Sequence, residues 1–399
     1  MTANKRIRMH KLKYIFIVSL LVSVVNAQSN IVWLNPCKDV NMVVYGLAWF
    51  EQNGHKFIRL PLSEKKNVNE TAWLMSLCPS SARIRFKTDS TSLRLKIHHG
   101  MIGTGSMPMY EVSAVNGVSM YHMSSVAVSG IDLYIGSPGQ MSYWKTVKPQ
   151  DPNKEYEYLY FEKLPSMMRE FTLYLPCYAE LAELQIGIDS DAKILKPTEY
   201  KIKKPIVFYG TSITQGGCAS RGSNGFVSVI ERKLNCDVVN LGFSAGGLGE
   251  LAMAQIISQI DASVYVVDSV ANMNINLMNE RYEKFVRILR KNRPQTPVLL
   301  MTQIHYSGEL LPEQAAEYKR HNEPVFDTYN KLRAEGDKKV FLFDSGEIIP
   351  VGGDHPSVDG THLTDRGFYM IAEGLEPKLK EILVNTCGAA AEASAVEHL

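Results

Sequence analysis

The chain has 399 residues, enough for two domains, and its 45% hydrophobic and 21% charged content is that of an ordinary globular protein. Its 43 basic and 41 acidic residues leave a formal charge of +2. No single-sign field covers it and no basic stripe is interleaved with aromatics, which argues against nucleic acid or an anionic membrane as principal partner.

Lys5, Arg6, Arg8, Lys11 and Lys13 precede an almost wholly apolar run at 14–25, and Val25-Asn26-Ala27 offers small residues for cleavage. That order is a secretory signal, with an apolar run too short to span a bilayer comfortably. Residues 1–27 are expected to be removed, leaving an exported chain, periplasmic or extracellular, that starts near Gln28 without stable membrane insertion. An uncleaved anchor is the alternative. Cys37 lies too far downstream for a lipoprotein site.

Residues 28–197 read as an all-β, jelly-roll-like sandwich. Segments 82–87 and 93–97 alternate apolar with polar, the period of half-buried strands, and further strands are expected at 109–115, 157–161 and 170–175. The rhythm changes over 198–386. Strands at 206–209, 237–241, 264–267, 297–301 and 340–343 alternate with helices at 226–234, 251–260, 280–291, 313–334 and 365–383. This pattern predicts an α/β fold, a doubly wound, flavodoxin-like parallel sheet. The Ala-rich stretch 387–399 carries no core pattern and reads as a disordered tail. Cys37, Cys78, Cys177, Cys218, Cys236 and Cys387 are scattered, with no C-x-x-C and no Cys/His spacing suited to zinc. No metal and no cofactor are expected. The glycines at 242–249 lack the spacing of a nucleotide site.

The candidate chemistry lies in the second half. Ser212, in Gly210-Thr211-Ser212-Ile213-Thr214-Gln215-Gly216, follows the first strand, at the sheet edge where ligands bind. Alone it reads equally as a turn serine. Asp359 precedes His362 by three residues, close enough for its carboxylate to orient the ring while the other nitrogen faces a serine. His305, His321 and His355 are competitors, and Asp354 beside His355 is poorly spaced for ring contact. Asn272 follows the third strand and offers an amide to a developing oxyanion, with the backbone N–H groups of Ser212 and of Ala245 or Gly246. A rival reading comes from Gly242-Phe243-Ser244-Ala245-Gly246, which fits G-x-S-x-G and would make Ser244 the nucleophile. It has only one strand and no His-Gly-Gly segment before it.

In order, these segments resemble the four blocks of the SGNH, or GDSL-type, hydrolases over residues 205–383. Gly130-Ile131-Asp132-Leu133-Tyr134, with Phe57 to Pro61 and Arg85 to Thr88, resembles the G-x-D-L-Y sandwich domain that precedes certain bacterial members. Three positions depart from the family pattern. Thr211 stands where many relatives have aspartate, Ala245 replaces an oxyanion glycine, and Val270 replaces the glycine of the third block. Ala245 fits only if its backbone avoids a conformation reserved for glycine; otherwise Gly246 becomes the donor. The resemblance implies a Ser212–His362–Asp359 esterase acting through an acyl-enzyme on a small-molecule or glycan ester, with O-acetyl groups the expected class. The alternatives are a glycan-binding protein with an inactive hydrolase half, or a lipase-type acylhydrolase. Asp132 and Tyr134 are expected to be structural.

Overall fold

The computed structural model describes residues 30–102, 122–148 and 154–387. The expected leader at 1–27, the strand expected at 109–115 and residues 388–399 of the expected tail lie outside the described residues. The last helix runs through Cys387, a residue that the expected tail at 387–399 took in.

Among the described residues, the first half contains ten strands. They are β1 (Ile31–Leu34), β2 (Val43–Tyr45), β3 (Arg83–Thr88), β4 (Leu93–Ile102), β5 (Asp132–Ile135), β6 (Ser142–Thr146), β7 (Tyr156–Phe161), β8 (Arg169–Tyr174), β9 (Ala179–Asp189) and β10 (Ile194–Leu195). They make two antiparallel sheets, one in the order β1-β9-β4-β7, the other β10-β3-β8-β5-β6 with β2 also paired to β3. Ile84, Phe86, Leu93, Leu95, Leu133, Phe171, Leu173 and Ile186 are buried in one shared cluster. Each contributes roughly 1.5–3 kcal/mol by leaving water.

The second half carries a five-stranded parallel sheet: β11 (Ile202–Gly210), β12 (Cys236–Gly242), β13 (Val264–Asp268), β14 (Val298–Met301) and β15 (Val340–Phe343). Its order is β12-β11-β13-β14-β15, the flavodoxin-like arrangement. Alternate residues of each strand feed two cores, as strand geometry requires. Ile206, Phe208, Val264 and Val266 pack under helices Phe226–Leu234 and Asp365–Cys387. Val207, Tyr209, Tyr265 and Val267 pack under Leu251–Ile257 and Ile275–Asn292. The helix expected at 280 begins at Ile275 because Asn274 caps it, accepting from the Leu277 N–H.

The second of these cores also takes in Trp49, Leu60, Ala72, Trp73, Met75 and Tyr178 of the first half. Here the sequence reading of β3 needs correction. Its polar residues Arg83 and Arg85 do not face solvent; both are fully buried. Arg83 pairs with Glu231 and Asp237 of the second half, and Arg85 with Glu170. The alternation was real, but the polar face looks onto another domain.

Arg59 completes this seam. Its guanidinium, 4.9 Å from the Phe243 ring centroid, donates to Cys78 O, Asn240 O, Gly242 O and Met75 O at 2.6–2.9 Å. Two of these carbonyls lie on the outer edge of β12. The arginine takes the place of a neighbouring strand there. Cys37, Cys78, Cys177, Cys218 and Cys236 are free thiols.

Candidate active site

Strand β11 ends at Gly210 and the chain enters a single helical turn, Ser212–Gln215. Thr211 caps that turn through its hydroxyl and forms a capping box with Thr214; Gly216, at φ +104, ends it. Ser212 is the first helical residue, so no intrahelical carbonyl can take its N–H. Beneath it, Thr214 Oγ1 accepts from the Thr211 N–H at 3.0 Å and donates to Asp268 Oδ2 at 2.7 Å. Burial pushes the Asp268 carboxyl up to about 7, against the pull of the Thr214 hydrogen bond. Gly242 lets β12 come close, since a Cβ there would lie 2.3 Å from Gln215 N.

The loop before the last helix brings a base to Ser212. Asp359 Oδ1 accepts the backbone N–H groups of Thr361 and His362 at 3.0 and 2.8 Å, and Oδ2 lies 2.8 Å from His362 Nδ1. His362 Nε2 lies 3.0 Å from Ser212 Oγ. Burial alone would raise the Asp359 carboxyl. The backbone and ring donors of His362, the Thr361 N–H and the imidazole charge outweigh it and hold the group down at about 2. The His362 and Asp359 side chains stay 23% and 24% exposed, open to an incoming ligand. Ser307 anchors the loop by donating its N–H to Gly360 O at 2.9 Å.

A third element faces the serine from β12 and β13. Phe243 O accepts the N–H groups of Gly246 and Gly247 at 2.9 and 3.0 Å, and Asn272 Nδ2 at 3.1 Å. The Gly246 N–H, expected as a possible oxyanion donor, is therefore engaged inside the turn. Ala245 is exposed, and its N–H makes no hydrogen bond among the described residues. Ala245 does adopt a glycine-favouring backbone, at φ +54, yet the Gly246 N–H, the donor that conformation was to leave in its place, is the one already engaged. The left-handed conformation costs a non-glycine residue roughly 1–2 kcal/mol, which the turn imposes. Asn272 donates one amide hydrogen to Phe243 O, and its second makes no hydrogen bond among the described residues.

The β-rich half braces all of this. Asn69 Nδ2 donates to Gly246 O at 2.9 Å, while Asn69 Oδ1 caps helix Glu70–Ser76 by accepting the Ala72 N–H. A Cβ on Gly246 would meet Ala72 N at 2.6 Å. Gln215 Nε2 donates to Cys177 O, and Gln215 Oε1 accepts the Ser244 N–H. Asp132 accepts from Ser223 N and Thr146 Oγ1, and Tyr134 OH lies 3.1 Å from Ser223 Oγ. Asp132 and Tyr134 thus join the two halves and touch none of Ser212, His362 or Asp359.

The competing residues fall elsewhere. The Ser244 hydroxyl is beside Tyr178, and no histidine hydrogen-bonds to it among the described residues. His305 Nδ1 lies 2.5 Å from Glu309 Oε2, a carboxylate four residues on that sequence reading overlooked, and its ring packs tilted at 30° against that of Tyr318, 4.1 Å between centroids. His355 contacts Ser357 Oγ and His305 O, so it supports the loop. Gln303 is buried and its N–H goes to Asn322. Two residues that sequence reading passed over come to the site. His122 lies 5.2 Å ring to ring from His362. Cys218 is buried at φ +74, its thiol pushed up to about 12 by burial and then by the Asp359 charge. Neither has a local motif that would mark it.

Residues 203–380 match the GDSL-like lipase/acylhydrolase family, and residues 31–194 match the G-x-D-L-Y N-terminus of SGNH-type esterases. No curated protein sequence matches the chain significantly. A crystal structure described as a GDSL-like lipase, from Bacteroides ovatus, superposes with TM-score 0.77 at 27% identity, over 89% of this chain and 98% of that one. A salicylyl-acyltransferase from a tetracycline biosynthetic pathway gives 0.68 at 19% identity over 88% and 97%. A family two carbohydrate esterase from Clostridium thermocellum, in complex with cellohexaose, gives 0.55 at 13% over 89% and 99%. At such low identity the last two speak to the fold alone.

Proposed function

Over residues 203–380 the chain belongs to the GDSL-like lipase/acylhydrolase family and is an ester hydrolase, and we propose that it cleaves short acyl esters, O-acetyl foremost, on carbohydrate through a Ser212 acyl-enzyme. The observation that carries this reading is the unbroken line Ser212 Oγ, His362 Nε2, His362 Nδ1, Asp359 Oδ2, with contacts of 3.0 and 2.8 Å. His362 takes the Ser212 proton as Oγ attacks the ester carbonyl. The oxyanion is met by the Ser212 N–H, the Ala245 N–H and the second amide hydrogen of Asn272. His362 then protonates the leaving alcohol, deprotonates a water for deacylation, and returns the proton to Ser212. Asp359 stays ionised and holds the ring's tautomer.

In support of the substrate class, the chain shares its fold with a carbohydrate esterase solved in complex with cellohexaose, and its N-terminus at 1–27 is of export type. No helix among the described residues is long and apolar enough to cross a membrane. The deciding experiment is a panel of p-nitrophenyl esters and acetylated oligosaccharides run on wild type, Ser212→Ala and Ser244→Ala. Turnover of acetyl esters by wild type and Ser244→Ala, lost in Ser212→Ala, is the expected result. A preference for long acyl chains would favour a lipase, and no turnover at all a binding protein.

A further inference from the structure

Three residues remote in sequence converge behind the serine: His122 from the β-rich half, Cys218 from the turn after the nucleophile helix, and His362. One ligand atom of each lies within 4.8 Å of the other two. Cys218 occupies a left-handed backbone position, where glycine is relaxed and cysteine is strained. Strain of this kind clusters at functional sites, and here it aims a buried thiol at the base.

We propose that His122, Cys218 and His362 form a reversible inhibitory site for a borderline-soft divalent cation, zinc foremost. Two imidazoles and a thiolate are a ligand set zinc takes readily, leaving a fourth position for water. Bond lengths of about 2.0 Å to nitrogen and 2.3 Å to sulfur put tetrahedral ligand atoms roughly 3.5 Å apart. Side-chain rotation of about 1 Å closes the present separation. On binding, the Cys218 thiol releases its proton to solvent as the metal–sulfur bond forms.

The consequence for catalysis follows from the other side of the ring. His362 Nδ1 is committed to Asp359, so the metal takes the Nε2 lone pair, the one facing Ser212 Oγ. The carboxylate then orients a metal-bound histidine, a common outer-sphere arrangement. While the ion is bound, Ser212 has no base. Binding itself is independent of the esterase reading; only its inhibitory effect rests on that reading.

The test measures p-nitrophenyl acetate turnover by metal-stripped protein against added zinc chloride, alongside cobalt absorption spectra of wild type and Ser212→Ala. Expected are one ion per chain, loss of turnover reversed by EDTA, and a thiolate-to-cobalt band in the near ultraviolet. Ser212→Ala abolishes the reaction but keeps all three ligands, so its cobalt band survives. A failed metal site and a failed esterase reading are thereby told apart. Cys218→Ser and His122→Ala each weaken metal binding by at least about tenfold, the lower end of what even an outer-sphere partner is worth, judged against each variant's own metal-free rate. Equal zinc inhibition in all three proteins, absence of the thiolate band, or stimulation by zinc would overturn the proposal.

Discussion

Asn69, in the β-rich half, donates its side-chain amide to the carbonyl oxygen of Gly246 at 2.9 Å, the residue directly after Ala245 in the turn facing Ser212. That one hydrogen bond links a helix cap of the first half to the turn that would meet an oxyanion. Asn69→Ala removes both the cap and the brace. A stability loss of about 1 kcal/mol is expected from the cap, together with a fall in kcat at little change in KM. Unchanged kcat in the folded variant would reduce Asn69 to a helix cap.

Asn272→Ala is expected to lower kcat by roughly 100- to 1000-fold, the usual effect of losing one oxyanion donor. KM should barely move, because the amide acts on charge that develops only in the transition state. A change confined to KM would show that Asn272 binds ground-state substrate instead.

Asp359→Asn keeps the size of the side chain but presents the wrong partner to His362 Nδ1. Turnover is expected to drop at least about 100-fold, while circular dichroism stays that of the wild type. Activity within a fewfold of wild type would mean that the backbone of the loop alone positions the ring.

At Ala245, φ +54 makes the substitution to glycine informative. Relief of roughly 1–2 kcal/mol of strain, less the roughly 0.5–1 kcal/mol entropic cost of glycine, leaves a small net gain. Ala245→Gly should therefore melt slightly higher and hydrolyse esters as well as the parent. A lower Tm would contradict the left-handed turn.

Asp268 gives a pH signature. Its carboxyl titrates at about 7 in the folded chain against 3.8 as a free side chain. The folded state holds the proton more tightly, so this stabilisation is complete below about pH 4 and is lost as pH rises through about 7. Asp268→Asn still accepts the Thr214 hydroxyl but does not titrate. Its Tm relative to wild type should climb between about pH 4 and pH 8, and a flat difference would remove Asp268 from consideration.

The second half was legible because its information is local. Strand-helix alternation pointed to the parallel sheet, and the segments after its strands carried the marked residues: Ser212 just past β11, Asn272 after β13, the Asp359–His362 spacing before the last helix. What escaped notice depended on contacts across the chain. Arg83 and Arg85 sit at positions that a period-two pattern assigns to solvent, and only the presence of a second domain makes them interior. Asn69, Tyr178 and His122 reach the site from the other half, where no local motif records their destination. The backbone of Ala245 was a matter of turn geometry, which residue type alone left open. The choice between the Ala245 and Gly246 donors turns on a hydrogen bond from the Gly246 N–H to Phe243 O that no spacing rule predicts.

The arginine seam along β12 also bears on how the molecule comes apart. Without the first half, Arg59 included, the Asn240 and Gly242 carbonyls would face water on an open sheet edge, and the core holding Val207 and Tyr265 would lose Trp49, Leu60 and Met75. Because the two halves share this core, heat or urea is expected to unfold them together, which coincident transitions by different probes would check. A catalytic half expressed by itself would carry a sticky strand edge in place of a partner, and its natural fate is aggregation.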